Sequence, residues 1–325
     1  MASKPTKQTN NQEFNPIIYA VEDYNPEKTQ EPYWKDVSNE RELFRTTFSI
    51  KRPIVLKGPT GCGKTTLVRR MQWELGNELT SQKYLPQFQY HQETGMYLPE
   101  KSKQERNVTF PLYLVDGNED TETIHLLGGS NATGKYIGGP VYHWAHTGGI
   151  LLINELAEIR EDVQTIFNGP LDKERMVTFP EIGKVVHLPD HAMIAFTYNP
   201  GYQKKRTPLK ISTKQRIPAI EFDYPDVKTE AEIIYHASKL SDKYVEKKTA
   251  EKLATIAAEI RSKDRENSIL ASREGVSTRL LVMAAEYIIA GTSPLDACKI
   301  ALVRPLADTK KEAEALEFII QTHGF

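Results

Sequence analysis

Eight consecutive residues, Gly58-Pro59-Thr60-Gly61-Cys62-Gly63-Lys64-Thr65, constrain this chain more than any other stretch. They match G-x-x-x-x-G-K-[S/T], follow directly on the apolar run 53–56 and precede the helix-like run 66–75. A strand, a glycine loop and a helix in that order make a phosphate cradle, because the loop amides and the helix N-terminus face an anion together. Gly58, Gly61 and Gly63 let the backbone approach a polyphosphate where a Cβ would block the turns. Lys64 brings a mobile positive charge to the β- and γ-phosphates, and the Thr65 hydroxyl can ligate Mg²⁺. Pro59, Thr60, Cys62 and Thr66 complete the expected nucleotide-binding set, so ATP and Mg²⁺ are the expected cofactors. Cys62 reads as a small loop residue whose backbone does the binding, since no second cysteine stands at C-x-x-C spacing.

The chain around this loop has the organisation such a loop requires. Strand-sized apolar runs recur at 53–56, 111–115, 149–153, 192–197 and 217–222, separated by helix-sized stretches or loops. Buried strands alternating with helices predict an α/β domain on a mostly parallel sheet. After Tyr224-Pro225 the strand pattern stops. Residues 226–239, 243–263, 277–290, 295–306 and 309–322 carry apolar side chains every three or four positions and predict helices. The reading is therefore a flexible N-terminal arm over 1–30, a nucleotide-binding core over 31–225 and a helical lid over 226–325. Within the core, 76–107 has no clear period and reads as an insert, and 128–140 reads as a second, hairpin insert.

Composition narrows the function classes. The 325 residues carry 42 basic and 43 acidic side chains, so a chain-wide basic footprint for nucleic acid is absent. No apolar run approaches the length of a membrane span, and residues 1–16 lack the apolar region of a secretory signal. The two cysteines, Cys62 and Cys298, make no disulfide framework and suit a reducing compartment. The cytoplasm is the expected location.

A phosphate-cleaving enzyme needs an acidic site on a strand beside the loop. Gly148-Gly149-Ile150-Leu151-Leu152-Ile153-Asn154-Glu155 offers it: four apolar residues form a buried strand, and a polar pair emerges at its carboxyl end. Glu155 is placed to act as general base toward the attacking water. Asn154 stands where an aspartate is usual; its amide oxygen can hold the metal only through a bound water and brings no charge. A slowly hydrolysing, nucleotide-gated scaffold is the alternative that this asparagine raises.

The absence of N-K-x-D and of L-S-G-G-Q argues against a GTPase and an ABC transporter ATPase. A strand-rich NTPase core followed by a helical lid resembles the AAA+ layout, an αβα sandwich on a mostly parallel five-stranded sheet with an all-helical lid. That layout assigns further positions in order. Asn199 in Tyr198-Asn199-Pro200 resembles sensor 1, beside the γ-phosphate and the lytic water. Arg216 in Ser212-Thr213-Lys214-Gln215-Arg216 resembles a finger that reaches a neighbouring subunit's nucleotide; a planar guanidinium suits phosphate oxygens. Arg279 in Ser277-Thr278-Arg279 resembles sensor 2, folding onto the γ-phosphate from the lid.

More closely, the chain resembles the MoxR-type AAA+ ATPases of the CbbQ/NirQ/NorQ subfamily. The resemblance rests on 56–65, on Tyr198-Asn199-Pro200-Gly201-Tyr202-Gln203 and on Leu209-Lys210-Ile211-Ser212-Thr213-Lys214-Gln215-Arg216. Phe222-Asp223-Tyr224-Pro225, 274–282 and 301–308 extend it to most of residues 31–325. It implies a homo-oligomeric, hexameric ring that remodels a client enzyme together with a partner bearing a von Willebrand factor A domain. The implied clients are nitric oxide reductase, which needs its metal installed, and Rubisco, which needs inhibitory sugar phosphates removed. It also implies that the hairpin over 128–140, with Tyr136, works on the client. A nucleic-acid-dependent motor is the competing reading; it would use Tyr202–Arg206 as a basic, aromatic loop.

Overall fold

The structure, a computed structural model, describes residues 20–22, 29–81, 88–91, 96–99, 110–200, 211–267 and 275–325. Tyr202–Arg206, Leu209, Lys210, Glu274 and much of 82–109 lie outside them. The first part of the chain forms β1 (Ala20–Glu22), α1 (Glu40–Ser49), β2 (Ile54–Lys57), α2 (Lys64–Ser81), β3 (Phe88–His91) and β4 (Met96–Pro99). It continues through β5 (Leu112–Asp116), α3 (Thr123–Leu127), β6 (Gly128–Ser130), β7 (Tyr136–Gly138), α4 (Pro140–Thr147) and β8 (Gly149–Asn154). Two single-turn helices, α5 (Glu161–Gln164) and α6 (Asn168–Leu171), lead into β9 (Met176–Phe179), β10 (Lys184–His187) and β11 (Ala192–Tyr198). Then come α7 (Ile211–Lys214) and β12 (Ala219–Glu221).

The central sheet has the order β1-β5-β8-β11-β2-β12. β5, β8, β11, β2 and β12 run parallel to their neighbours. Each of the inner strands is buried on both faces, and the side chains alternate between two cores. On β8, Ile150 and Leu152 join Phe44, Leu67 and Met71 under α1 and α2. Leu151 and Ile153 join Trp144, Phe167 and Phe196 on the α4 side. That is why these strands read as unbroken apolar runs.

Two expectations change. Among the described residues the sheet has six strands, not five, and the sixth comes from the stretch read as a flexible arm: Ala20–Glu22 pairs antiparallel with β5. Arg69 grips the Glu22 carboxylate, and the Gln72 side-chain amide donates to the Glu22 carbonyl at 2.7 Å. The region read as an insert without period begins inside α2, which runs to Ser81, and includes the antiparallel pair β3–β4.

Residues 128–138 form the antiparallel hairpin β6–β7. Tyr136 does not stand free at its tip: its hydroxyl donates to the Leu127 carbonyl at 2.8 Å and its ring meets Tyr142 edge-on. A second hairpin, β9–β10, has no counterpart in the sequence reading.

Beyond β12 the chain is helical: α8 (Val227–Ala237), α9 (Lys247–Asn267), α10 (Thr278–Ile289), α11 (Pro294–Cys298), a π-helical turn Lys299–Val303, α12 (Arg304–Leu306) and α13 (Lys310–Thr322). These helices bury their own apolar cluster, with Ile234, Leu253, Ile260, Leu281, Leu302 and Ile320 at its centre. Among the described residues no helix is long and apolar enough to cross a membrane.

Candidate functional site

Parallel strands all end on the same side of their sheet, so the loops after β2, β5, β8 and β11 converge. The Gly58 amide donates to the Tyr198 carbonyl at 3.1 Å, which ties the start of the glycine loop to the end of β11. Lys64 opens α2 with its ammonium inside the loop, donating to the carbonyls of Gly58 at 2.9 Å and Pro59 at 2.7 Å. It is only 8% exposed, and a buried cation must be met by oxygen. The Cys62 side chain is buried in the same loop, and burial pushes its thiol up, away from a reactive thiolate.

A cavity of about 530 Å³ opens on this loop, within the range of small-ligand sites. Thr60, Gly61, Cys62, Gly63, Lys64, Thr65 and Thr66 line it, together with Asn154, Glu155 and Arg279. Asn199, 4% exposed, reaches the loop through its side-chain amide, which donates to Thr60 Oγ1 at 2.8 Å. The structure thus brings together the loop residues, both members of the β8 pair, Asn199 and Arg279. It does not bring Arg216 to them. That residue is exposed before β12, where its Nε donates to Asp172 Oδ1 at 3.1 Å, and it does not line the cavity.

Glu155 sits just past β8 in the left-handed region, φ 52 and ψ 51. A non-glycine residue there is strained, and such strain collects at functional sites. Its amide is held by Thr197 Oγ1 at 3.0 Å, which secures the turn. Asn154 shares that hydroxyl: Thr197 Oγ1 lies 3.3 Å from Asn154 Oδ1. On its other side the Asn154 amide nitrogen donates to Asp116 Oδ1 at 2.8 Å.

Asp116 is a site residue that sequence reasoning missed. It ends β5 in direct register with Asn154 and lines the same cavity. The signal was present, an acid closing the apolar run 111–115, but only the pairing of β5 with β8 gives it meaning. The cavity's far wall was missed as well. Trp34, Val37 and Phe222 line it together with Ile233, Val282 and Met283, so the lead-in to α1 and the helices α8 and α10 border the same cavity as the loop.

Within the C-terminal helical region a buried network ties α8, α9 and α10 together. Arg261 donates to both oxygens of Glu230, at 2.8 and 2.7 Å, and to the Val276 carbonyl at 2.7 Å. Thr278, the first residue of α10 and the neighbour of Arg279, donates to Glu230 Oε1 at 2.6 Å. The Tyr224 hydroxyl donates to the Thr60 carbonyl at 3.0 Å.

A polyphosphate with a divalent cation fits these residues. The loop offers glycines where side chains would collide, a buried ammonium and a threonine hydroxyl, and carboxylates stand across the cavity on β5 and after β8. The apolar wall suits a flat heterocycle.

Comparison with known proteins agrees. Residues 230–323 match the family described as CbbQ/NirQ/NorQ C-terminal, and residues 101–217 match the AAA domain of the dynein-related subfamily. The chain is 34% identical over 295 residues to Protein CbbQ of Hydrogenophilus thermoluteolus, covering 90% of this chain and 95% of that protein. It is 30% identical over 296 residues to the denitrification regulatory protein NirQ of Pseudomonas aeruginosa, covering 90% and 97%. With Protein NorQ of Paracoccus denitrificans the identity is 29% over 280 residues, covering 85% and 88%.

Proposed function

The chain belongs to the CbbQ/NirQ/NorQ family of AAA+ proteins, and on that premise we propose that it hydrolyses ATP as one subunit of a homo-oligomeric ring, expected to be a hexamer, to remodel or activate a client enzyme. One observation carries the reading: Lys64, Thr65, Glu155 and Arg279 share a cavity from which Arg216 stands apart on the surface. An arginine so placed suits a neighbouring copy's pocket better than its own.

In this reading residues 31–225 are the nucleotide-binding core and 226–325 the lid. Lys64 and the loop amides hold the β- and γ-phosphates, and the apolar wall with Trp34 and Met283 holds the base. Glu155 accepts a proton from water as the water oxygen bonds to the γ-phosphorus and the bond to the bridging oxygen breaks. Asn199 orients that water. Arg279 of the same subunit and Arg216 of a neighbour stabilise the charge on the transferring group. Mg²⁺, held through Thr65, neutralises phosphate charge when bound.

The client, by resemblance to CbbQ, NirQ and NorQ, is nitric oxide reductase or Rubisco, reached with a partner bearing a von Willebrand factor A domain. Turnover measured against protein concentration tests the core of this. A rate per subunit that climbs as the ring assembles, and climbs again with the partner but not with DNA, is the expected result. A lone subunit with the same rate at every dilution contradicts it.

A further inference from the structure

Asn154 poses a problem of charge: it ends β8 and lines the cavity with Lys64 and Thr65, yet cannot carry the negative charge that a magnesium-nucleotide site uses. Its hydrogen bonds show where that charge is. A carboxylate accepts and does not donate, so Asn154 turns its amide nitrogen to Asp116 Oδ1 at 2.8 Å and its oxygen to the Thr197 hydroxyl at 3.3 Å. The asparagine is thus held from both sides, and its oxygen is engaged by Thr197. Asp116 Oδ2 is the oxygen that this contact leaves for another ligand. Asp116 and Asn154 are register partners at the carboxyl ends of adjacent parallel strands, and both line the cavity with Lys64 and Thr65.

We propose that Asp116 supplies the second carboxylate of the metal-nucleotide site, with Asn154 as the positioning residue that fixes the carboxylate's orientation. The proposal rests on the magnesium-nucleotide reading above. The site then keeps one acidic and one amide side chain across β5 and β8, with the acid on β5. Restoring an aspartate at 154 therefore does not improve the site. It sets two carboxylates at facing register positions, where like charges disfavour full ionisation, and it removes the donor that orients Asp116.

The test uses the full-length protein with ADP, reading Mn²⁺ binding by electron paramagnetic resonance and nucleotide binding separately in EDTA. Asp116→Asn should weaken Mn²⁺ binding about tenfold or more, the usual scale for lost groups around a metal. Nucleotide binding in EDTA should stay within about twofold. The exchange Asp116→Asn with Asn154→Asp moves the charge across the pair and should recover most of the lost metal affinity, while Asn154→Asp alone should not exceed wild type. Unchanged Mn²⁺ affinity in Asp116→Asn overturns the proposal, as does an exchange variant no better than the single one. A wild-type protein that binds no ADP at all overturns the nucleotide reading itself, which is a different result from ADP binding with unaltered metal dependence.

Discussion

The Arg261 guanidinium lies 3.9 Å from the centroid of the Tyr224 ring, and the same Tyr224 passes a hydrogen bond to the Thr60 carbonyl of the glycine loop. Arg261 also holds Glu230, which accepts from Thr278 next to Arg279. The glycine loop and the helix that carries Arg279 are therefore joined through one buried ion pair.

Breaking that pair should be costly. Glu230 is fully buried and Arg261 is 8% exposed, so removing either partner strands a charge out of water. Glu230→Leu is expected to destabilise the fold by about 3–5 kcal/mol, the range for disrupted buried pairs. Tyr224→Phe keeps the ring under Arg261 and loses only the hydroxyl, so its effect should be about 1 kcal/mol. Urea unfolding of both variants checks this ranking; equal losses would mean that the ion pair is not what secures the lid.

Gly61 tests the contact between loop and lid. At φ +69 its added Cβ would stand 2.8 Å from Ser277 Cβ and Oγ and 3.2 Å from Arg279 Cβ, at the very start of α10. Gly183, at φ +62 in the β9–β10 turn, has a similar positive φ and nothing within 4 Å. Both Gly→Ala changes should cost about 1–2 kcal/mol of backbone strain. Only Gly61→Ala should also weaken ATP binding, by about tenfold or more, since it alone displaces the lid arginine. Matched calorimetric titrations separate the two effects.

The physics explains which parts of this were legible in the sequence. The glycine loop could be read because its strand, turn and helix are contiguous, and the lid helices because their apolar faces repeat locally from Ala231 to Ile320. Asp116 could not, because its role depends on β5 lying beside β8, a pairing between residues 38 apart in the chain. β1 is three residues long and exposed at the sheet edge, so it shows almost no apolar signal. The β9–β10 hairpin was missed for a related reason: Lys184–His187 is largely exposed, and only Val177 and Phe179 of its partner strand are buried. Arg216 was legible as a residue type in a recurring order, while its position relative to a neighbour's pocket belongs to the assembly and not to one chain.

Histidines beside α4 give the fold a pH dependence. His143 donates from Nε2 to the Gly138 carbonyl at 3.0 Å, and burial pushes its pKa down to about 4. Burial lowers His146 and His191 as well. His143 is therefore neutral in the folded chain over a range where the unfolded chain begins to protonate it, near pH 6.5. Stability from His143 is thus whole above pH 6.5 and is lost as pH falls from there toward 4, a change on the order of 3 kcal/mol over that span. Urea midpoints between pH 7.5 and 5, above the range where carboxylates titrate, should fall for wild type and fall less steeply for His143→Gln. Parallel slopes would remove His143 from the account.

The surface position of Arg216 leads to the last expectation. Its Nε is bonded to Asp172 in its own subunit, and it is absent from the cavity that holds Lys64 and Arg279. If it completes a neighbour's pocket, Arg216→Ala should lower turnover by about 10³-fold or more, the scale of an arginine finger, without weakening the subunit's own grip on nucleotide. Lys64→Ala should lose nucleotide binding directly. The two variants then complement each other in a specific way. In mixed rings, a Lys64→Ala subunit still carries a working Arg216, and an Arg216→Ala subunit still carries a working loop. Each Arg216→Ala subunit that sits against the Arg216 of a Lys64→Ala neighbour regains a complete site. Mixing two inactive preparations should therefore restore measurable hydrolysis, up to about a quarter of sites at equal proportions if neighbours are random, an estimate that follows from one shared interface per pocket in a closed ring. Mixtures that remain inactive although the subunits exchange would show that Arg216 serves its own pocket or none.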